Sequence, residues 1–311
     1  MQLITYRPGQ VAAPCLSVVA LGFFDGVHLG HRALLRLARE KADALGIPLS
    51  VFTFPAEDEN IKRGAERLYG TEKKLALLSS LGVDYVYTCA LSAVSDISAE
   101  EFAKTCLAEQ LLAAVSVCGF NYRFGHGAAG DAQALVRYMK EIGRENLVLD
   151  PLYADGELLS SRAIRAHLQK GEVERAAELL GEPYALSGRV ESGDGRGRTL
   201  GFPTVNLPIP EGRALLPNGV YATVAHTVKG NFPSVTNVGT CPTFGERLVH
   251  AETHLCEFSG DLYGEVIDVQ FLKRLRDEKT FSSKEELIKQ INIDKNTSME
   301  VFKAWQEAGR S

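Results

Sequence analysis

One change of rhythm in the apolar residues restricts what this chain can fold into more than any other feature. Up to about residue 150, short apolar runs alternate with helical patterns. Leu16–Leu21, Leu49–Phe54, Asp84–Cys89 and Val115–Cys118 read as strands. Between them, 31–45, 72–81 and a stretch running from the capping box Ser98-x-x-Glu101 to Ala113 read as helices, and Asp131 caps another that ends at Glu141. Strands separated by helices predict a parallel, doubly wound sheet, whose ligands bind at the carboxyl ends of the strands. Two short helical stretches follow, Ser161–Gln169 and Glu172–Leu180, and Gly181-Glu182-Pro183 reads as a linker. Beyond it the rhythm is strand and turn: Tyr184–Val190, Val220–Val228, Ser234–Val238, Val249–Phe258 and Val266–Leu272 predict a small antiparallel barrel or sandwich. A last helix opens at Ser282-x-x-Glu285. The expected division is 1–182 and 183–311, an α/β domain followed by a β domain with a terminal helix.

A length of 311 residues agrees with two domains. The net charge of −5 gives no broad electrostatic footprint for nucleic acid. The six cysteines form no C-x-x-C pair, so buried free thiols in a reducing compartment are expected. The start MQLITYRPGQ lacks the layout of a signal peptide, and no apolar run approaches the ~18 residues of a membrane span. The expectation is a cytoplasmic protein outside the membrane, a monomer or weak homo-oligomer that works on small molecules.

Two constellations carry chemistry. In Gly22-Phe23-Phe24-Asp25-Gly26-Val27-His28-Leu29-Gly30-His31, directly after the first strand, His28 and His31 fall on one face of a helical first turn. The helix N-terminus favours phosphate, and Gly30 allows a close backbone approach. These parts suit adenylyl transfer, in which charge builds on an α-phosphate. The segment resembles the H-x-G-H signature of the nucleotidyltransferase superfamily, and the wider GFFDGVHLGH resembles its flavin-adenylylating branch, which implies nucleotide contacts from Gly22, Phe24 and Asp25. Cys118–Gly125 (CGFNYRFG) is similar to the family's G-x-N/D-F-x-F-G motif and implies that Asn121 meets ligand. Leu159–Arg165 (LSSRAIR) resembles I-S-S-x-x-I-R, which implies that Ser160, Ser161 and Arg165 hold the triphosphate. One segment departs: Thr53–Asp58 reads TFPAED where the family carries T-F-x-P-H-P on the flavin side.

The second constellation begins with Gly193-Asp194-Gly195-Arg196-Gly197-Arg198, a glycine-arginine alternation that can turn N–H groups and charge toward an anion. In the extended segment that follows, Thr204 and Asn206 share a face and offer two oxygens to one Mg²⁺. On the later strand, alternation places His250, Glu252, His254 and Cys256 opposite the core face of Val249, Ala251, Thr253 and Leu255. The run GRTLGFPTVN resembles the riboflavin kinase P-T-A-N signature, with Val205 in place of alanine. By that resemblance Glu252 is the base for the flavin 5′-hydroxyl, the loop of Asn237, Gly239 and Thr243 shapes the nucleotide pocket, and Arg276 and Glu278 of the R-D-E-x-x-F segment lie near the flavin.

Nearly the whole chain thus resembles the bifunctional riboflavin kinase/FAD synthetase family. The resemblance implies a Rossmann-like nucleotidyltransferase domain, a riboflavin kinase-like barrel, and ATP, Mg²⁺, riboflavin, FMN and FAD as ligands. Two alternatives stay open from sequence: a riboflavin kinase whose first domain is weakened at TFPAED, and a non-catalytic flavin-binding regulator.

Overall fold

A computed structural model describes residues 1–56, 58, 66–191, 196–243 and 246–309, without the side chains of 196, 198, 240–243 and 246–248. By internal contacts the chain divides into two compact units, Met1–Ser161 and Arg162–Ser311.

The first unit is built on six parallel strands: β1 (Gln2–Thr5), β2 (Ser17–Leu21), β3 (Leu49–Thr53), β4 (Tyr85–Thr88), β5 (Ala113–Gly119) and β6 (Glu145–Leu149). Their spatial order is β1-β4-β3-β2-β5-β6. Every residue of β2 and β3 is buried, as expected of strands covered on both faces. Alternation sends Val18, Ala20, Val51 and Val117 to one face, where Leu34, Leu35, Ala38 and Ala42 of α1 (Leu29–Leu45) pack, with Leu78 of α2 (Thr71–Ser80). Val19, Leu21, Phe52 and Cys118 take the other face, against Phe102, Cys106 and Leu107 and against Leu135 and Met139 of α3 (Ala132–Glu141). The doubly wound sheet is the one the alternating runs predict. The chain steps outward one way from β2 through β3 to β4, and the other way from β5 to β6. The switch point therefore lies between the carboxyl ends of β2 and β5.

The first unit holds elements beyond the sequence reading. Two strands of the main sheet are new, β1 with its exposed pattern and β6 at the sheet edge, and two short antiparallel pairs stand outside it, Arg123–Phe124 with Gly130–Asp131 and Tyr153–Ala154 with Glu157–Leu158. The Ser98 cap is present, its side chain accepting from Glu101 N, but the helix continues as a π-helix over Phe102–Gln110.

The second unit opens with α4 (Ser161–Lys170), which starts at the last residue of the first, and α5 (Val173–Leu180), closed by Gly181 in the left-handed conformation. Six antiparallel strands follow: β7 (Ala185–Arg189), β8 (Val205–Pro208), β9 (Gly219–Thr227), β10 (Gly230–Thr243), β11 (Glu246–Leu255) and β12 (Val266–Arg276). Their order is β7-β12-β9-β10-β11-β8. Glu191, just past β7, bridges Asn206 of β8 through an N–H···O bond of 3.0 Å, joining the two edges into a barrel. The hydroxyls of Thr253, Thr236, Thr223 and Ser234 run in a buried hydrogen-bonded chain across β11, β10 and β9, at 2.9, 2.8 and 3.0 Å. α6 (Lys284–Glu307) docks through polar groups: Ser298 donates to the Ser234 carbonyl at 2.6 Å, and buried Asp294 receives Arg276 of β12. Its cap is Ser283, accepting from Glu286 N, one residue beyond the expected Ser282. Ser282 instead bonds the Glu286 carboxylate through both its N–H and its hydroxyl.

Candidate active sites

The loop after β2 occupies the switch point of the first unit. Its backbone turns through left-handed conformations at Phe24 (φ 53°), Gly26 (φ 78°) and Val27 (φ 43°). A buried β-branched residue at positive φ stores roughly 1–3 kcal/mol of strain, held here by the packed Phe24 and Val27 side chains. The contorted loop delivers His28 as the N-cap of α1, its Nδ1 accepting from Gly30 N at 3.2 Å. With Nδ1 accepting, Nε2 is the ring nitrogen that can donate. His31 stacks on His28, with ring centroids 3.8 Å apart and planes at 23°. Burial, then the neighbouring His28 and the Lys74 ammonium, hold the His31 pKa well below the ordinary histidine value. Its Nδ1 is buried without a hydrogen-bond partner among the described residues.

The Ser-Ser segment comes to this same point. A Cβ on Gly30 would lie 3.4 Å from the Leu159 carbonyl oxygen and 3.0 Å from the His28 ring, so glycine permits this approach. Ser161 Oγ donates to the Asp25 carbonyl at 2.9 Å, and the Asp25 carboxylate accepts from Leu68 N at 2.8 Å. Ser160 immediately precedes Ser161, and Arg165 lies one turn further along α4, on the face of Ser161. Gly22 ends β2 against the Phe24 ring, 3.2 Å from a Cβ at that position. In the turn after β5, across the switch, exposed Asn121 folds its Oδ1 back to 3.3 Å from where a Gly119 Cβ would be.

Sequence reading missed Lys74. It is 2% exposed, and its Nζ donates to the Phe54 carbonyl at 2.7 Å and the Phe23 carbonyl at 3.0 Å, tying the loops after β3 and β2 together. Thr53 Oγ1 adds a third tie, also to the Phe23 carbonyl, at 3.0 Å. The signal was present in the sequence: Lys74 stands four residues before Leu78, on the apolar face of α2. Of the departing TFPAED loop, Glu57 lies outside the described residues; Asp58 accepts from Leu91 N at 3.3 Å.

In the barrel, register builds the second site. Asn206 of β8 stands opposite Glu252 of β11, and Glu252 opposite Asn237 of β10. Directly paired residues share a face with Cβ atoms ~5 Å apart, so an amide, a carboxylate and a second amide form one row. Glu252 is exposed while Ala251 and Thr253 beside it are fully buried, as predicted, but Cys256, read on the same face as Glu252, is fully buried just past the end of β11. None of the three side chains in the row hydrogen-bonds another described residue. Thr204 precedes β8, and its Oγ1 lies 3.3 Å from where a Gly197 Cβ would be, so glycine lets the R-G-R backbone close on it. Hydroxyl and amide oxygens without partners among the described residues are hard donors that fit Mg²⁺. His254, two residues after Glu252, fastens this segment: its Nδ1 lies 2.9 Å from the Pro203 carbonyl and its ring meets Phe202 edge-on at 5.5 Å. Burial lowers its pKa.

Gly239 faces the Glu278 carboxylate, 2.6 Å from where its Cβ would be, with Asn237 Nδ2 at 3.4 Å; Asn218 holds Glu278 at 3.1 Å. Glu278 thus sits beside the row. Arg276 reaches the terminal helix: its Nε and Nη2 grip Asp294 at 3.0 and 2.8 Å, and its guanidinium lies 5.7 Å from the Phe281 ring centroid. What it holds here is α6. Gly193 and Gly195 lie outside the described residues, as do the side chains of Arg196, Arg198 and Thr243.

A stacked histidine pair at the switch point of an α/β unit and a carboxylate–amide row on a small barrel are arrangements suited to a two-site phosphate-group transferase. Residues 11–163 match the FAD synthetase family and residues 180–302 the riboflavin kinase family. The chain is 36% identical over 291 residues to the bifunctional riboflavin kinase/FMN adenylyltransferase of Escherichia coli (strain K12), covering 92% of each. It is 33% identical over 294 residues to the protein of the same name from Bacillus subtilis (strain 168), again with 92% of each covered. It belongs to the bifunctional riboflavin kinase/FMN adenylyltransferase family. A crystal structure from Streptococcus pneumoniae, described as a macrolide-efflux protein, superposes with a TM-score of 0.87 at 29% identity, covering 96% of this chain and 99% of that one. No described helix of the present chain is long and apolar enough to cross a membrane.

Proposed function

We propose that the chain makes FMN and then FAD, with one reaction in each domain and the boundary at 182/183. Its support is that Gly181 ends α5 and β7 begins at Ala185. In the barrel Glu252 accepts the proton of the riboflavin 5′-hydroxyl as that oxygen bonds to the γ-phosphorus of ATP and ADP leaves. Thr204 and Asn206 would hold Mg²⁺, which when bound neutralises phosphate charge. Gly193, Gly195, Arg196, Gly197 and Arg198 cradle the nucleotide phosphates, the loop of Asn237, Gly239 and Thr243 lines the pocket, and Arg276 and Glu278 border the flavin. The observation that carries this reading is the register pair Asn206–Glu252, which puts the base and a metal donor side by side.

In the α/β domain an FMN phosphate oxygen attacks the α-phosphorus of a second ATP and pyrophosphate departs. That nucleophile is already ionised, so no base is needed. Nε2–H of His28 and the ring of His31 donate to the developing charge, as Gly22, Phe24, Asp25, Gly30 and Asn121 shape the site. Ser160, Ser161 and Arg165 hold the triphosphate. The protein acts on these small molecules without nucleic acid, in the cytoplasm, as a monomer or weak homo-oligomer; the buried free thiols of Cys89, Cys106, Cys118 and Cys256 support a reducing compartment.

The test supplies riboflavin, ATP and Mg²⁺ and resolves flavins over time. FMN followed by FAD is expected. FMN alone would mean that the α/β domain does not adenylylate, and no flavin product would leave only a binding role.

A further inference from the structure

Lys74 combines two properties that rarely coincide: it is 2% exposed, and its ammonium hydrogen-bonds backbone carbonyls on either side of a site. Burying an ammonium costs several kcal/mol unless hydrogen bonds replace its water, so a lysine in this position has a definite task. The carbonyls belong to loops of different strands. Phe23 leads into the turn that presents His28 and His31, and Phe54 opens the loop after β3, where FMN is expected. Their rings are in contact as well, with centroids 5.1 Å apart.

We propose that Lys74 is a positioning residue for FMN adenylylation, its buried ammonium setting the spacing between the histidine-bearing loop after β2 and the flavin-side loop after β3. The inference rests on the reading of the α/β domain as an FMN adenylyltransferase. It gives the backbone at Phe54 an anchor in a chain that lacks the family's T-F-x-P-H-P. Lysine supplies the reach for both carbonyls, whereas a core leucine on this face of α2 would take this donor from the Phe54 carbonyl and break the link between the two loops. Its charge also stands close to His31, favouring the uncharged ring before ATP arrives.

The test uses the full chain with FMN, ATP and Mg²⁺, following FAD and pyrophosphate. Wild type must first make FAD; if it does not, the adenylyltransferase reading fails, independently of Lys74. Lys74→Met, shown to be folded by far-UV circular dichroism, is expected to raise KM for FMN and lower kcat by about 30- to 100-fold, the scale of an ångström's misplacement. Riboflavin phosphorylation in the barrel should stay at the wild-type rate. Lys74→Arg, longer and with a planar fork, should show the same two effects to a smaller degree. Wild-type kcat and KM in folded Lys74→Met overturn the proposal. So does a lower kcat with KM for FMN unchanged, the mark of a smaller active fraction. Should Lys74→Met fail to fold, Lys74→Arg decides: a raised KM for FMN supports the spacing role, and wild-type constants overturn it.

Discussion

Glu252 and His31 show opposite ways of placing a titratable group. Glu252 stands exposed on the outward face of a strand whose other face is packed. Glu252→Gln keeps shape and register and removes the proposed base. Riboflavin phosphorylation should fall by roughly 10²- to 10⁴-fold, with FAD formation from supplied FMN unchanged, as chromatography of the two flavins would show. His31 is held neutral by burial and nearby positive charge. Its folded pKa lies below the unfolded value of about 6.5, so the unfolded chain takes up a proton first as pH falls. The stability contributed by the neutral ring is complete above that value and is lost progressively below it. Urea midpoints between pH 7.5 and 5 should fall more steeply for wild type than for His31→Gln.

Elements differ in how much of them a sequence reveals. The H-x-G-H loop and the faces of β11 are legible because local spacing sets them: three residues along a helix, two along a strand. Lys74 was not read as a site residue because its partners, Phe23 O and Phe54 O, come from two other segments. The strand Glu145–Leu149 was missed because it is a short edge strand whose pattern, one exposed residue and four half-buried ones, lacks alternation. Asn206, Glu252 and Asn237 were each singled out, but their row exists only once β8, β11 and β10 pair in register. Arg276 carried a motif resemblance, and only the fold shows how its guanidinium is spent on Asp294. That pair anchors an otherwise polar helix face. Asp294→Ala leaves the guanidinium without its partner, and about 3 kcal/mol of stability should be lost from the barrel, the low end of the range for breaking a buried pair because Arg276 remains a fifth exposed. Denaturant titration followed by Trp305 fluorescence would measure it.

At the scale of the molecule, each unit carries its own chemistry, and the order of events follows from the product of one being the substrate of the other. With riboflavin, ATP and Mg²⁺, FMN should rise first and FAD after a lag. His31→Gln should let FMN accumulate. Chelating divalent cations should stop FMN formation itself, because Thr204 and Asn206 are neutral oxygens that cannot replace the charge of an ion.

The barrel's closure has a kinetic meaning. β8 is four residues long; β11 supports it along its whole length, but on its other side one bridge among the described residues, Glu191–Asn206, joins it to the chain just past β7. It is a short, lightly held stave of the barrel, and it bears Asn206. Its amides at Val205–Leu207 should exchange with deuterium sooner than those of β9, through brief local opening, and should slow when Mg²⁺ and ATP are added. A short strand held by its own ligand would let the enzyme grip the nucleotide for phosphoryl transfer and release ADP without unfolding anything else.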